Sequence, residues 1–299
     1  LQIIVPVYNV ENYIEECMDS IVSQKSQYSF IITVVNDGSP DHSRHKLKKY
    51  ESIPNGKIID QENKGLSGAR NTALKHIQGN YVMFVDSDDK LADGAIEKLM
   101  RKAIEWNADI VEGGYYNYSF NSKITGICKH PNKQHLKNLR GFPWGKVIKS
   151  TLMERIHFPE GYWFEDTVMF LIIFDLTSNM ASISDIVYYY RQNNNGITVT
   201  SRRNPKALDT YYITKRLLVD RELLKLPPSQ ELYERFLEQC KINFNRTLKL
   251  PNKYVSYAIF EETAKLKRKY FKDFTSQNSE QLEKALEQND FRTYLSAMI

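Results

Sequence analysis

Three carboxylates, Asp86, Asp88 and Asp89, fall within four positions directly after the apolar run YVMFV at residues 81–85. Like charges this close repel one another, and burying them without a counter-charge is costly. A hard divalent cation relieves both problems, because Mg²⁺ and Mn²⁺ take oxygen ligands and keep open positions for water and phosphate oxygens. In an extended turn, residues two apart can face the same way. That would converge Asp86 and Asp88, with Ser87 between them and Asp89 diverging. A metal held there could neutralise charge developing on a diphosphate leaving group.

Other polar residues stand at comparable places. The run IIVPV is followed by Tyr8, Asn9 and Glu11, and IITVVN is followed by Asp37. A carboxylate accepting from an imide N–H would discriminate uracil. The segment NKGLSGARN offers Gly65 and Gly68 for close backbone approach and Arg70 as a cation. Glu165 and Asp166 precede an apolar run. Acids there can act as a general base or simply complement the dipole at a helix start. His42 with His45, and Cys128 with His130 and His135, lack the spacing of a zinc site and are expected to be surface residues.

Alternating strand and helix patterns position these groups. Strand signals at LQIIVPV, FIITVV, KIID, YVMFV and ADIVEGGYYNY are separated by helical spacing, as at Ile14, Cys17, Met18, Ile21 and Val22. Such alternation predicts right-handed βαβ units and a mostly parallel α/β sheet. Ligands then bind beyond the carboxyl ends of the strands, where all three polar loops fall. The segment GLSGARNTALKHIQG predicts a helix closed by a left-handed Gly79, and Asp93 is the expected N-cap of the next helix. From about Arg203 the pattern is helical, broken at LPP and LPN. The expected division is an α/β domain over 1–200 and a helical appendage over 201–299.

Taken in order, IIVPVYNVENYI, VVNDGSPD, NKGLSGARNTAL and YVMFVDSDD resemble the family 2 glycosyltransferases of GT-A fold, a Rossmann-like sheet flanked by helices. The resemblance covers roughly the first 200 residues. It implies an inverting transferase that moves a hexose or N-acetylhexosamine from a UDP-sugar, with Mn²⁺ or Mg²⁺, to a hydroxyl of a glycan or glycoprotein acceptor. Pro6, Tyr8, Glu11 and Asp37 would hold the uridine, with Asn9 and Ser87 in the same donor site and Arg70 beside the base. Asp86 would approach the ribose or the metal, and Asp88 would ligate the metal. WFEDTVMF matches the family's acidic pair before a helix, which makes Asp166 the expected general base, supported by Glu165. PWGKVIKS resembles an acceptor-side loop, with Trp144 to stack on a sugar and Lys146 to meet an anion, although Gly145 replaces the usual Asn. YYYRQNNNGIT resembles the loop that closes over the diphosphate. Arg191 is its expected phosphate ligand, and Gly196 stands where a Ser is common.

Composition narrows the alternatives. The chain has 299 residues, 41% hydrophobic and 26% charged, as in ordinary globular proteins. No apolar run approaches the eighteen or so residues that span a bilayer. No signal peptide is expected, since Leu1 opens directly into a strand pattern. Three scattered cysteines suggest no disulfide framework and a reducing cytoplasm, with peripheral contact at the inner membrane face as a further expectation. Residues 201–299 hold 19 Lys+Arg against 13 Asp+Glu, so the net charge of +5 belongs to the C-terminal third. That region is expected to dock acceptor or to form a homo-oligomer. Nucleic-acid binding is not expected, as no reader motif accompanies the basic helices. A nucleotidyltransferase would want a glycine-rich phosphate loop after the first strand, and VPVYNVENYI has none. A degenerate transferase domain that only binds or scaffolds is the alternative reading, opposed by the intact Asp88 and Asp166.

Overall fold

The computed structural model describes residues 1–119, 123–193, 196–201, 203–252 and 254–298. The chain forms two compact units, one of Leu1–Gly161 with Leu176–Asn193, the other of Tyr162–Asp175 with Asn194–Ile299. Residues 162–175, which the sequence reading puts in the first 200, therefore group with the C-terminal helices.

The first unit is built on a mixed sheet. Its strands are β1 (Gln2–Val7), β2 (Ile31–Asp37), β3 (Gly56–Gln61), β4 (Tyr81–Phe84), β5 (Lys90–Leu91), β6 (Ile110–Tyr118), β7 (Ile124–Cys128), β8 (Lys133–Leu136), β9 (Lys146–Lys149) and β10 (Met180–Arg191). The order is β3-β2-β1-β4-β9-β6-β10-β5, with β7 beside β6 and β8 beside β10. The first four strands are parallel, in registers such as Ile3 opposite Ile32 and Met83. The strand β9 then runs antiparallel to both β4 and β6. Helices α1 (Ile14–Val22), α2 (Ser43–Leu47), α3 (Gly65–Leu74) and α4 (Ala95–Glu105) provide the crossovers. The apolar stripe of α1, Ile14, Cys17, Met18 and Ile21, joins Ile3, Val5 and Val7 of β1 in the core.

Pro6 sits inside β1 without penalty. The carbonyl of Ile4 accepts from Val85 N, so Ile4 faces β4, and Pro6, two residues on, faces the same way. The β1–β4 ladder has already ended at Ile4–Phe84, so the N–H that proline lacks is not needed there.

Two local expectations are corrected. The helix α3 ends at Leu74 rather than near residue 79. Gly79 does not have a left-handed backbone; a Cβ there would lie 2.7 Å from the Gln2 amide, so glycine serves close approach. Asp93 is not a cap. The residue before α4 is Gly94 at φ +70°, and the Asp93 carbonyl accepts from Lys98 Nζ instead.

The second unit is helical: α5 (Thr167–Leu171), α6 (Ile197–Thr200), α7 (Asp209–Leu223), α8 (Gln230–Thr247), α9 (Val255–Tyr270), α10 (Glu280–Gln288) and α11 (Phe291–Met298). Ser229, directly after the LPP break, caps α8 by accepting from Leu232 N. Buried Ile213, Leu217, Leu232, Phe236, Phe260, Leu286 and Tyr294 form its core. Along α7, Leu217 and Leu218 are buried, whereas Leu223 ends the helix and is exposed. Asp175, in the 3-10 turn after α5, pairs with Arg221 at 2.8 Å and with Arg235. Among the described residues no helix is long and apolar enough to cross a membrane.

Candidate active site

In the first unit the parallel order β3-β2-β1-β4 delivers three loops to one edge of the sheet. Tyr8 and Asn9 follow β1 and are exposed, with Asn9 at φ +54°, a conformation asparagine tolerates better than most residues. Glu11 joins this loop to the next: its amide donates to Asp41 Oδ2, and its own Oε2 accepts from His42 N at 2.8 Å.

Asp37 closes β2 and is buried. Its Oδ1 accepts from Gln61 Nε2 at 2.6 Å and Lys64 N at 2.8 Å. Its Oδ2 has no hydrogen-bond partner among the described residues. A buried carboxylate oxygen without a donor is costly, so this atom calls for an N–H from a ligand.

The acidic turn after β4 is pinned from several sides. Arg70, buried on α3, donates from Nη2 to Asp86 Oδ1 at 2.8 Å and lies over the rings of Phe84 and Phe158. The Asp86 amide donates to Tyr188 Oη at 3.0 Å. Ser87 is buried. Asp88 Oδ2 accepts from Asn193 Nδ2 at 3.0 Å. Burial pushes the Asp88 carboxyl above its ordinary value; neighbouring Asp86 adds to this, and the Asn193 amide opposes it. Asp89 turns inward, 2% exposed, and accepts from the Arg191 amide at 2.6 Å. Burial, then Asp88 and Asp86, hold its carboxyl well above the carboxylate range.

The donor set of this turn is hard oxygen, and Asp88 is an anion disfavoured by its surroundings, so Asp86 and Asp88 fit a divalent cation chemically. Among the described residues no group of three or more His, Cys, Asp or Glu side chains is gathered that could hold a metal.

Three residues expected to face ligands are committed to protein partners. Trp144 is 6% exposed and stacks on Phe142, Tyr188 and Tyr190 at centroid distances of 4.1, 4.7 and 5.1 Å. Lys146 is fully buried, donating to the carbonyls of Arg140 and Phe142 at 2.7 and 2.6 Å. Gly145, between them, has φ +71°, which an asparagine would also tolerate. The guanidinium of Arg191 lies against the acidic turn. Asn194 and Asn195, in the loop expected to close over the diphosphate, lie outside the described residues.

The second unit holds the acidic pair. Glu165 is buried, and Asp166 stands at the N-cap position of α5 with a helical backbone. The residue ahead of them, Phe164, has φ +64°, a strained conformation for an aromatic residue. Arg246 of α8 lies 3.8 Å over the Phe164 ring and donates to Thr210 Oγ1 at 3.0 Å. Burial lowers the Arg246 pKa, and Asp166 and Glu165, its charged neighbours, raise it. Trp163 N donates to Asp209 Oδ2 at 2.9 Å, which fixes the entry to this turn from α7.

Three of these contacts come from residues distant in the chain, Gln61, Tyr188 and Arg246. Only Tyr188, inside the aromatic run before Arg191, falls in a segment that the sequence marks.

The glycosyl transferase family 2 model matches residues 2–163. The chain is 36% identical over 211 residues to the glycosyltransferase GlyA of Streptococcus pneumoniae, covering 64% of this chain and 30% of GlyA. It is 30% identical over 269 residues to GlyG of the same organism, covering 83% of this chain and 88% of GlyG. The fold matches that of residues 1–349 of TarS from S. aureus, solved with UDP-GlcNAc, at a TM-score of 0.72 and 20% identity over 99% of this chain and 90% of the other. The GT-A fold and the family model lead to one assignment: the chain belongs to glycosyltransferase family 2.

Proposed function

We propose that this glycosyltransferase moves a hexose or N-acetylhexosamine from a UDP-sugar to a hydroxyl of a glycan or glycoprotein, with inversion and with metal assistance. The observation that carries the reading is the shared edge of β2, β1 and β4, which gathers the half-satisfied Asp37 and the Asp86–Asp88 turn. An imide N–H of uracil is a donor of the kind Asp37 Oδ2 lacks. Exposed Tyr8 offers a ring to the base, with Pro6, Asn9 and Glu11 shaping the same loop. Arg70 acts on the donor by orienting Asp86, and Ser87 lies between the two ligating acids. The TarS complex with UDP-GlcNAc supports a UDP-sugar as donor.

Asp86 and Asp88 would hold Mn²⁺ or Mg²⁺, which when bound neutralises charge on the departing diphosphate. Asp166 takes the proton of the acceptor hydroxyl as its oxygen bonds to the anomeric carbon. The bond from that carbon to UDP breaks on the opposite face. Arg246 and Phe164 fix the backbone that presents Asp166, and Glu165 supports it.

Titration calorimetry with UDP tests the donor site. Mn²⁺ should strengthen binding, and Asp88→Ala should abolish that gain in a folded protein. Equal affinity with Mn²⁺ and with a chelator would sink the reading. The region over 201–299, which carries the excess positive charge, is further proposed to support self-association at the inner face of the membrane. A strict monomer in light scattering at high concentration would refute the association.

A further inference from the structure

Arg191 ends β10 and is buried, its side chain only 2% exposed. Its guanidinium is held by protein groups. Nε donates to the Asp88 carbonyl at 2.7 Å, and Nη2 pairs with Glu16 Oε2. The plane lies 4.7 Å from the Tyr13 ring centroid and 4.3 Å from that of Tyr118. Its backbone amide donates to Asp89 Oδ1. Glu16 is itself doubly engaged, since its second oxygen accepts from Lys90 Nζ at 2.6 Å. Lys90 directly follows the acidic turn and lies over Tyr118 and Tyr189. One carboxylate on α1 thus receives a cation from each side of the turn. A diphosphate ligand would present its donors to an opening, whereas Nε and Nη2 here are engaged by a carbonyl and a carboxylate.

We propose that Arg191 and Glu16 are positioning residues, a brace that fixes the Asp86–Asp89 turn and thereby the Asp88 carboxylate, and that Arg191 is not a diphosphate ligand. The consequence for metal rests on the donor-site reading above; the mechanical part does not. Outer partners of metal ligands typically change metal affinity by about 10–100-fold when removed.

Glu16→Gln is the sharp variant. The Glu16 side chain is 40% exposed, so the protein should tolerate the change, and it has no role in binding phosphate under either view. Amide hydrogen exchange on the nucleotide-free protein reads the turn directly, through Asp89 N, which bonds the Asp86 carbonyl, and Leu91 N, which bonds Ser20 Oγ. Both Glu16→Gln and Arg191→Lys should speed exchange there. Both should also cut the Mn²⁺-dependent gain in UDP affinity by about tenfold or more, with uridine affinity unchanged. Wild-type exchange and a full Mn²⁺ gain in Glu16→Gln would overturn the brace. So would an equal loss of UDP affinity with and without metal in Arg191→Lys, the mark of a phosphate ligand. A wild-type protein whose UDP affinity ignores Mn²⁺ would overturn the donor-site reading, while the exchange data still decide the brace.

Discussion

Replacing Asp175 with asparagine removes a negative charge that pairs with two buried guanidinium groups. Arg221 and Arg235 side chains are 4% and 1% exposed, and Asp175 is 13% exposed. Burial lowers both arginine pKa values to about 10, so each still carries its charge at neutral pH. Breaking a buried ion pair by removing one partner costs about 3–5 kcal/mol, because the remaining charge is uncompensated. Arg221 keeps the Leu171 and Pro227 carbonyls, and asparagine keeps one acceptor, so the lower end, about 3 kcal/mol, is expected. For a unit of about 120 residues this corresponds to a fall in Tm of roughly 10–15 °C. Urea titration followed by circular dichroism measures the loss, and the triple change of Asp175 to Leu with Arg221 and Arg235 to Met serves as control. That control should be nearly neutral, since well-packed apolar groups often replace buried ion clusters without loss. A loss below about 1 kcal/mol in Asp175→Asn would refute the claim that uncompensated charge governs this cluster.

Asp166→Asn should lower turnover by about 10²–10⁴-fold and leave UDP affinity nearly unchanged; NMR of the product from an α-linked donor should show a β linkage. Burial alone would raise the Glu16 pKa, but hydrogen bonds from Lys90 and Arg191 outweigh it and hold the carboxyl below its ordinary value of 4.5. Its folded pKa being depressed, the stability Glu16 contributes is present above pH 4.5 and is lost as pH falls through the lower folded value. Glu16→Gln should therefore flatten the acid limb of the urea midpoint against pH, and an unchanged limb would contradict the linkage.

The sequence made legible what depends on short-range pattern. The strand runs ending at Val7, Val35 and Phe84 announce themselves by apolar and β-branched residues, and the sheet order then sets their loops on one edge. What stayed hidden depends on contacts across the chain. Nothing local marks Lys146 as buried beneath the Arg140 and Phe142 carbonyls, because a lysine before an apolar pair reads equally well as a surface residue. Phe164 adopts a left-handed backbone that a glycine would have advertised and an aromatic residue conceals. Its support, Arg246, lies about eighty residues further on and looks like one more basic residue on a solvated helix. Gly79 was legible as a special position, but the reason, a backbone approach to Gln2, required the sheet to be in place.

The chain leaves the sheet-based unit at Gly161, returns at Leu176 and departs again after Asn193. The two units are therefore interleaved in the gene, although each is compact in space. A fragment ending at residue 193 would still encode Val168, Met169, Phe170 and Leu171, all buried in the intact protein, without the α7 and α8 helices that α5 packs against. Apolar surface stripped of its cover in this way favours aggregation. Expressing the sheet-based unit alone calls for a short linker joining Gly161 to Leu176 as well as a stop after 193. For the same reason, swapping C-terminal helices between relatives must carry residues 162–175 along. The acidic pair Glu165–Asp166 thus travels with the helices, and shuffling them transplants the proposed general base together with the appendage.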